Sequence, residues 1–283
     1  MSRIQDILAK AERDGTARRT PATPTLVPPA APSAHAAPAA PVSGSSALDA
    51  SRFVPVAAAP PTAVALSEVR TADATLHPAL VAAIDPHAAV AEQYRALRTR
   101  LNSREDAAAL RIIAVTSPGS RDGKSVTAAN LALTMAQEFQ RNVLLIDGDL
   151  RTGAVHALFG VEQGPGLSEV LSGEAALDDA LLHLPDHQLS LLPAGSLPDF
   201  PTELLGSSAM RRVLDTLRGR FDRIIIDLPS VMPLADVGTV APLADGVLMV
   251  IRTGVTKRPA LDEALATFDN GKVLGVVMND AKR

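Results

Sequence analysis

Hydrophobic residues along this chain of 283 residues form short continuous runs, separated by stretches in which they recur at helical spacing. Runs rich in Val, Ile and Leu predict six strands, at 110–117, 141–149, 189–195, 222–230, 244–254 and 272–280. Helical spacing predicts helices at 123–139, 202–221 and 258–269. Strands without polar alternation are typical of a parallel sheet covered by helices on both faces. The pattern therefore predicts an α/β protein with a doubly wound, mostly parallel sheet.

A further helix is predicted ahead of the first strand. It covers the stretch "DPHAAVAEQYRALRTRLNSRE". Asp85 is a suitable N-cap residue, and Pro86 suits the first helical position because its missing N–H would have no partner there. We therefore expect this helix to begin at Asp85.

The N-terminal part of the chain has a different pattern. Residues 1–15 predict a short amphipathic helix with Ser2 as N-cap, because the apolar side chains of Ile4, Ile7, Leu8 and Ala11 share one face. Residues 16–76 are dominated by Ala, Pro, Ser and Thr, which bury too little apolar surface to offset the entropy of ordering. They predict a disordered linker ahead of a folded domain at 77–283. The helix either docks on its own domain or tethers a partner.

Composition narrows the class of protein. A formal net charge of -4 and a pI of about 5.9 give no basic surface, so no nucleic-acid partner is expected. The chain has no cysteine, which excludes disulfides and thiolate metal sites. Its first residues carry charges, unlike a secretory signal. It also lacks the run of about 18 apolar residues that a transmembrane helix needs. We expect a soluble, cytoplasmic protein.

The stretch "SPGSRDGKS" at 117–125 lies between a predicted strand and a predicted helix. Gly-Lys-Ser at the start of a helix is typical of a P-loop, whose backbone N–H groups and lysine bind phosphate and whose serine binds Mg²⁺. The full pattern has glycine at position 118, where this chain has proline, and Gly119 follows one place later. The residues expected to bind the nucleotide are Gly119, Asp122, Gly123, Lys124, Ser125 and Val126.

Three aspartates follow apolar runs at the ends of predicted strands. Asp147 and Asp149 lie in "LLIDGDLR", and the two-residue period of a strand directs both to the same side. Asp227 lies in "IIIDLPS", the usual position of a carboxylate that holds Mg²⁺ opposite a P-loop. Two close carboxylates need a cation or a shared proton. Arg151 is the candidate to neutralise the first pair, and the three strand ends together predict one P-loop nucleotide site.

These motifs resemble those of the bacterial tyrosine kinases (BY-kinases) of capsule and exopolysaccharide synthesis. The resemblance covers about residues 85–280, and its segments occur in the family's order. They are "EQYRALRTRL", "VTSPGSRDGKSVTAANLAL", "VLLIDGDLR", "LLPAG" and "RIIIDLPSVMPLADV". The resemblance implies a P-loop domain that uses ATP and Mg²⁺ to phosphorylate tyrosine.

The resemblance also implies a role for each site residue. Lys124 would stabilise the β- and γ-phosphate oxygens, and Asp147 would accept the proton of the tyrosine hydroxyl. Asp149 belongs to the same motif as Asp147 and would act in catalysis and in binding Mg²⁺. Ser125 and Asp227 would complete the metal site.

Further contacts follow from the resemblance alone. Glu92, Arg95 and Arg98 match the family's E-x-x-R-x-x-R element, which packs one subunit against the next in a ring, and their spacing places them on one helix face. Asn279 follows the last strand, where related P-loop ATPases place an asparagine near the adenine. The family works with a membrane co-polymerase that regulates polysaccharide chain length. That partner, and recruitment to the inner face of the cell membrane, are therefore expected.

The sequence departs from the family at several places. The chain has one tyrosine, Tyr94, so phosphorylation of a tyrosine-rich tail is not expected. Arg121 stands where many relatives have glycine, and the third motif is "DLPS" in place of "DTPP" or "DSPP". Neither change removes Lys124, Ser125 or a carboxylate.

The leading hypothesis is phosphoryl transfer from ATP to Tyr94 or, preferably, to a tyrosine of a partner protein. The missing tail motivates an alternative: a non-catalytic or ATPase-only switch that drives ring assembly and gates a polysaccharide-export membrane partner. A third hypothesis is an ATPase like the partitioning and septum-site proteins. It ranks last, because those proteins carry an additional lysine near the start of the loop and "SPGSRDGKS" has none there.

Overall fold

The computed structural model describes residues 67–68, 76–104, 107–138, 141–232, 236–269 and 271–280. Within these ranges, eight strands form one sheet. In chain order they are β1 (Ser67–Glu68), β2 (Ile112–Thr116), β3 (Val143–Asp147), β4 (Leu182–Leu184), β5 (Leu189–Leu192), β6 (Arg223–Asp227), β7 (Gly246–Arg252) and β8 (Val273–Asn279).

The strand order across the sheet is β1-β4-β5-β3-β6-β2-β7-β8. Every neighbouring pair is parallel except β4 and β5. Strands β2, β3 and β6 are buried along their whole length, as continuous Val, Ile and Leu runs require. The predicted α/β class with a mostly parallel, doubly wound sheet is confirmed.

Ten α-helices lie in the described part of the chain. They are α1 (Val81–Ile84), α2 (Ala89–Asn102), α3 (Lys124–Ala136), α4 (Val155–Leu158), α5 (Leu167–Ser172), α6 (Leu177–Ala180), α7 (Pro201–Leu205), α8 (Ser208–Arg218), α9 (Asp236–Val240) and α10 (Arg258–Leu265). None of these helices has both the length and the apolar character needed to cross a membrane.

Side chains of the central strands alternate between two hydrophobic clusters. Ile112 of β2 joins the cluster that contains Met210 and Leu214 of α8. Its neighbour Ile113 joins the opposite cluster, with Leu131 of α3. The alternation follows from the two-residue period of a strand, and it places α3 and α8 on opposite faces of the sheet.

The N-cap of the helix predicted at Asp85 lies three residues later, at Ala88, so that prediction was wrong. Asp85 ends α1, because its backbone N–H donates to the carbonyl of Val81 at 3.0 Å. A turn follows, in which the N–H of Ala88 donates to the carbonyl of Asp85 at 3.0 Å. Helix α2 then begins at Ala89, with Ala88 as an extended N-cap residue. A residue that closes one helix cannot also cap the next.

The single helix expected at 202–221 is two helices. Helix α7 ends at Leu205, and α8 starts after Ser207, whose hydroxyl accepts a hydrogen bond from the N–H of Met210 at 3.4 Å. Gly206 between them breaks the helical run, and serine is a favoured N-cap residue.

Strands β1 and β4 were not predicted. Strand β4 is three residues long and pairs with β5 in antiparallel fashion after the tight connection through Pro185–His187. Strand β1 occupies two residues of the segment predicted as a linker and pairs with β4, so the linker prediction does not hold there. The helix predicted at 1–15 and the rest of that linker up to residue 75 lie outside the described residues.

Candidate nucleotide-binding site

The three predicted strand ends meet at one edge of the sheet. Strand β6 lies between β3 and β2, with Asp227 opposite Asp147 on one side and opposite Val115 on the other. The loop at 117–123 leaves β2 and leads directly into α3. The phosphate-binding loop and the aspartates therefore share the carboxyl edge of the sheet, where open α/β sheets bind their ligands.

The loop bends at two residues with positive φ. Gly123 has φ 93° and precedes α3, and a Cβ atom there would lie 2.0 Å from the Nδ2 atom of Asn279. Arg121 has φ 65°, a conformation that glycine adopts more easily than any other residue. Glycine at position 121 would therefore adopt this loop conformation with less strain than arginine.

Proline in place of the expected glycine does not disturb the loop. Pro118 is buried, and its carbonyl accepts a hydrogen bond from the N–H of Met232 at 3.3 Å. The carbonyl of Ser117 accepts from Val231 at 2.8 Å. Gly119 has room for a side chain, since the nearest atom to an added Cβ is 3.8 Å away. The front of the loop is thus fixed by the segment after β6 and does not depend on glycine.

Asp122 holds the loop in place by accepting three hydrogen bonds. Its carboxylate accepts hydrogen bonds from the N–H of Gly119 at 3.2 Å and the hydroxyl of Thr256 at 2.9 Å. Its carbonyl accepts from the Nδ2 atom of Asn279 at 3.0 Å. Asp122 and Asn279, both predicted to bind the nucleotide, here hold the loop to the ends of β7 and β8. Val126 packs its side chain toward the hydrophobic cluster around α3.

Among the described residues, Lys124 is the only cation that forms an ion pair with the strand-end aspartates, Asp149 and Asp227. Its Nζ atom lies 2.8 Å from Oδ2 of Asp149, 3.3 Å from Oδ2 of Asp227 and 3.1 Å from the hydroxyl oxygen of Ser125. Burial disfavours the charged form of Lys124, but the nearby carboxylates outweigh it and raise the pKa of its ammonium group. Lys124 is therefore held charged at the head of α3.

The three carboxylates are in different environments. Burial, followed by the charge of Asp227, raises the pKa of Asp147 to about 7. Burial also raises the pKa of Asp227, although Lys124 opposes it. Burial acts in the same sense on Asp149, but Lys124 and Thr152 prevail and lower its pKa. Three carboxyl groups therefore share one lysine, and only Asp149 has a lowered pKa.

Asp147 and Asp149 do not present their carboxylates in the same way. Asp147 is buried and accepts hydrogen bonds from the N–H of Val155 at 2.9 Å and of Asp149 at 3.2 Å. Asp149 lies beyond the last residue of β3 and turns toward Lys124. The two-residue period of a strand was used to direct both carboxylates to the same side, but Asp149 lies outside β3, so the period does not apply to it.

Arg151 does not neutralise the aspartate pair, so that prediction was wrong. Its Nε atom lies 2.7 Å from Oδ2 of Asp236, and its NH2 atom lies 3.2 Å from Oδ1 of the same carboxylate. Asp236 is buried at the start of α9 and binds the guanidinium group with two parallel hydrogen bonds. Arg151 therefore forms its ion pair with Asp236 and with neither Asp147 nor Asp149.

Sequence reasoning assigned no role to Asp236 or Thr256. Asp236 was visible as the one charged residue in "SVMPLADVG", a stretch otherwise apolar or small. A buried position for such a carboxylate requires a partner, and that requirement was the available signal. Thr256 lies in a loop after β7, and nothing in its sequence context indicates a contact with Asp122.

The residues expected to hold Mg²⁺ have suitable chemistry. Ser125, Asp149 and Asp227 offer hard oxygen ligands, and Lys124 already supplies positive charge among them. In the described part of the chain, no three acidic or histidine side chains are close enough to hold a metal by themselves. This fits Mg²⁺, which usually binds one or two carboxylates together with phosphate oxygens and water.

The predicted assembly residues lie on helix α2 but differ in their contacts. Glu92 and Arg95 form an ion pair of 2.7 Å at the surface. Arg98 instead donates to the carbonyl of Thr134 at 2.6 Å and lies 3.2 Å from Oε1 of Glu138, near the end of α3. Arg98 thus ties α2 to α3 within its own subunit.

Comparisons with known proteins identify the family of this chain. The family model of the AAA domain matches residues 110–270. Tyrosine-protein kinase YwqD of Bacillus subtilis (strain 168) is 35% identical over 206 residues, which cover 72% of this chain and 86% of that relative. This chain belongs to the bacterial tyrosine kinase family.

The kinase is also similar to longer proteins and to a solved structure. It is 35% identical over 195 residues to the tyrosine-protein kinase ptk of Acinetobacter johnsonii, covering 68% of this chain but only 26% of that relative. The structure of the chimerical protein CapA2B2 matches with a TM-score of 0.69 at 27% identity, covering 77% of this chain and 94% of that one. The kinase thus spans one relative almost fully and about a quarter of the other.

Proposed function

We propose that this kinase transfers the γ-phosphoryl group of Mg·ATP to a tyrosine of another protein. One observation supports this most strongly: Lys124 lies at the head of α3, with its Nζ atom 2.8 Å from Asp149 and 3.3 Å from Asp227. Phosphoryl transfer needs positioning and charge neutralisation more than covalent chemistry. A loop, a lysine and oxygen ligands for a divalent cation supply both.

The phosphates would bind at the head of α3. The first N–H groups of a helix have no internal partner and, with the helix dipole, attract anions. Lys124 would leave Asp149 and Asp227 to bind the β- and γ-phosphate oxygens. Mg²⁺ would lower the negative charge on the phosphates, and Ser125, Asp149 and Asp227 would hold it.

Asp147 would accept the proton of the tyrosine hydroxyl, as the family resemblance implies. Two backbone N–H groups fix its carboxylate. If Asp147 is the proton acceptor, Asp147→Asn should lower kcat by about 100-fold or more while ATP still binds. Equal loss of binding and turnover would point to a structural role.

The acceptor is proposed to belong to another protein. Tyr94 is half-buried on α2, and its hydroxyl is hydrogen-bonded to Thr127 of α3. Burial, the larger influence, raises the pKa of this hydroxyl. A tyrosine held against the nucleotide-binding helix of its own subunit is a poor acceptor in the folded chain.

Assembly and partners extend the proposal. Glu92 is exposed and Arg95 half-buried on α2, and both would contact a neighbouring subunit in a ring, with Arg98 holding that helix in place. A membrane co-polymerase of polysaccharide synthesis would recruit the kinase to the inner face of the cell membrane. Tyr94→Phe should leave this assembly unchanged.

The direct test follows the γ-phosphate. Purified kinase is incubated with γ-labelled ATP, Mg²⁺ and a random Glu-Tyr copolymer, beside Lys124→Ala. We expect label on the copolymer from the wild type and none from the variant. Release of free phosphate alone would indicate an ATPase. Tight ATP binding without turnover, with Mg·ATP-dependent rings in light scattering, would indicate the switch.

A further inference from the structure

Three residues beside the nucleotide site form a polar cluster that the proposed reaction does not use. Arg151 binds Asp236 through two hydrogen bonds of 2.7 and 3.2 Å, and its NH2 atom lies 3.1 Å from the hydroxyl oxygen of Thr202. The hydroxyl of Thr202 in turn donates to Asp236. We call these three residues the clasp.

The clasp joins segments that carry the metal-binding carboxylates. Arg151 follows Asp149 by two residues in the loop after β3. Asp236 begins α9, the first helix after Asp227 and β6. Thr202, in the first turn of α7, holds the pair from a third segment. A shift of either loop would break a bidentate ion pair.

Asp227 ends β6 and is fixed between β2 and β3, so its separation from Asp149 depends on the loop that bears Asp149. The N–H of Gly148 donates to the carbonyl of Asp227 at 2.8 Å, which aligns the strand ends. Beyond that point, Lys124 is the only described side chain that contacts both carboxylates. Lys124 must change partners when phosphate binds, so it cannot fix their separation in the loaded site.

We propose that the clasp sets the separation of Asp149 and Asp227, so that Arg151 is a positioning residue for Mg²⁺. Mg²⁺ tolerates little deviation from octahedral geometry, so the separation of two ligands strongly affects its affinity. Asp236 is buried and paired with Arg151, and the two charges act on the nearby Asp149 with opposite signs. The inference rests on the proposed Mg·ATP site but not on phosphoryl transfer.

The test measures the Mg²⁺ concentration that gives half-maximal binding of a fluorescent ATP analogue. Arg151→Gln and Asp236→Asn should each raise that concentration by about tenfold or more, as loss of a residue that orients a metal ligand commonly does. Binding of the analogue without Mg²⁺ should stay within about twofold of the wild type. Arg151→Lys, which keeps the charge and loses the fork, should be intermediate.

The chain offers a matched control. Arg218 also forms two hydrogen bonds to one carboxylate, that of Asp245, at 2.8 and 3.2 Å, and it does so through its two terminal nitrogens at the opposite end of the strands. Arg218→Gln should lower thermal stability without changing the Mg²⁺ midpoint. The double variant Arg151→Met/Asp236→Leu removes both charges, and it should recover stability but not Mg²⁺ affinity.

Two outcomes would overturn the inference. One is a Mg²⁺ midpoint for Arg151→Gln equal to that of the wild type, which would leave the clasp with a stabilising role only. The other is a wild-type affinity for the analogue that does not respond to Mg²⁺. Failure of phosphoryl transfer with intact Mg²⁺-dependent binding would reject the proposed function and leave the clasp standing.

Discussion

Charged residues lie at both ends of the sheet, but their carboxylates are paired differently at the two ends. At the amino end, Asp245 accepts two hydrogen bonds from Arg218 and two from the backbone N–H groups of Arg111 and Ile112. At the carboxyl end, Asp147, Asp149 and Asp227 share Lys124. The carboxylate at the amino end has an arginine and two backbone donors of its own, whereas three carboxyl groups at the carboxyl end have one cation among them.

The pKa directions express the same difference. Burial disfavours the ionised form of Asp245, but Arg218 and the backbone donors outweigh it and lower its pKa. Burial at the carboxyl end raises the pKa of Asp147 and of Asp227. A buried charge without full compensation costs stability. Burial therefore favours the neutral form of both carboxyl groups beside the phosphate-binding loop, whereas Asp245 is held ionised.

Removal of Lys124 should have the largest effect. Lys124→Ala leaves Asp149 and Asp227 without their cation, so the free energy of unfolding without Mg²⁺ should fall by about 3–5 kcal/mol. ATP binding should be lost as well. Urea unfolding and nucleotide titration measure the two effects.

Lys272→Ala is the control for that variant. The Nζ atom of Lys272 donates to the carbonyl of Ala244 at 2.6 Å, at the amino end of the sheet. Its removal should cost about 1 kcal/mol and leave ATP binding intact. Equal losses of stability in both lysine variants would contradict the contrast between the two ends.

Neutralising one aspartate at each end should change stability in opposite directions. Without Mg²⁺ near neutral pH, Asp227→Asn should raise the free energy of unfolding by about 1 kcal/mol, because it removes one of the crowded negative charges. Asp245→Asn should lower it by about 2 kcal/mol, because a charged acceptor of four hydrogen bonds is lost. Chemical denaturation of both variants checks the signs; a destabilised Asp227→Asn would count against excess charge at the carboxyl end.

Asp147 and Asp245 should contribute to the pH dependence of stability with opposite signs. The pKa of Asp147 rises from 3.8 in a model peptide to about 7 in the fold, so the folded chain binds this proton more tightly. Its contribution is present below about pH 4 and is lost as the pH rises toward 7. The pKa of Asp245 is lowered, so its contribution is present above 3.8 and is lost as the pH falls further.

Melting temperatures without Mg²⁺ from acid to neutral pH test this contrast. Asp147→Asn should flatten the decline toward neutral pH, a difference of about 1 kcal/mol or more, since one pKa unit corresponds to about that energy. Asp245→Asn should remove part of the acid-side loss. If the melting temperature changes between pH 4 and pH 7 to the same extent in the wild type and in Asp147→Asn, the raised pKa of Asp147 is excluded.

The smallest effect concerns the P-loop backbone. Arg121 has φ 65°, so Arg121→Gly should stabilise the protein by up to about 1 kcal/mol by removing strain. Ser120 has no such conformation, and Ser120→Gly should be neutral or cost up to about 1 kcal/mol. A calorimetric melting temperature that rises in both variants, or in neither, would show that φ at position 121 has no consequence.

The sequence patterns predicted the central part of the fold well. Strands β2, β3 and β6 are continuous apolar runs, and such runs become buried parallel strands because helices cover both faces. Strand β4 has only three residues and depends on pairing with β5, so it has no period to detect. The start of α2 was misplaced because Asp85 is used by the helix before it.

The sequence brought several residues of the candidate site to attention, but it predicted their contacts only in part. Gly-Lys-Ser and the strand-end aspartates follow from local pattern, and the sheet brings them together. The partner of Arg151 could not be predicted, because Asp236 lies 85 residues away in the chain and approaches only through the fold. The same holds for Thr256 and Asp122, which are separated by 134 residues. Long-range polar contacts leave no periodic signal.

Calorimetric titration of ATP into the wild-type kinase, with and without Mg²⁺, tests the central claim most directly. If the negative charge at the carboxyl end is a site for Mg·ATP, ATP should bind tightly with Mg²⁺ and much more weakly without it. Asp227→Asn should remove most of that difference. Equal ATP affinity in both conditions, or no binding by the folded wild type in the presence of Mg²⁺, would contradict the account.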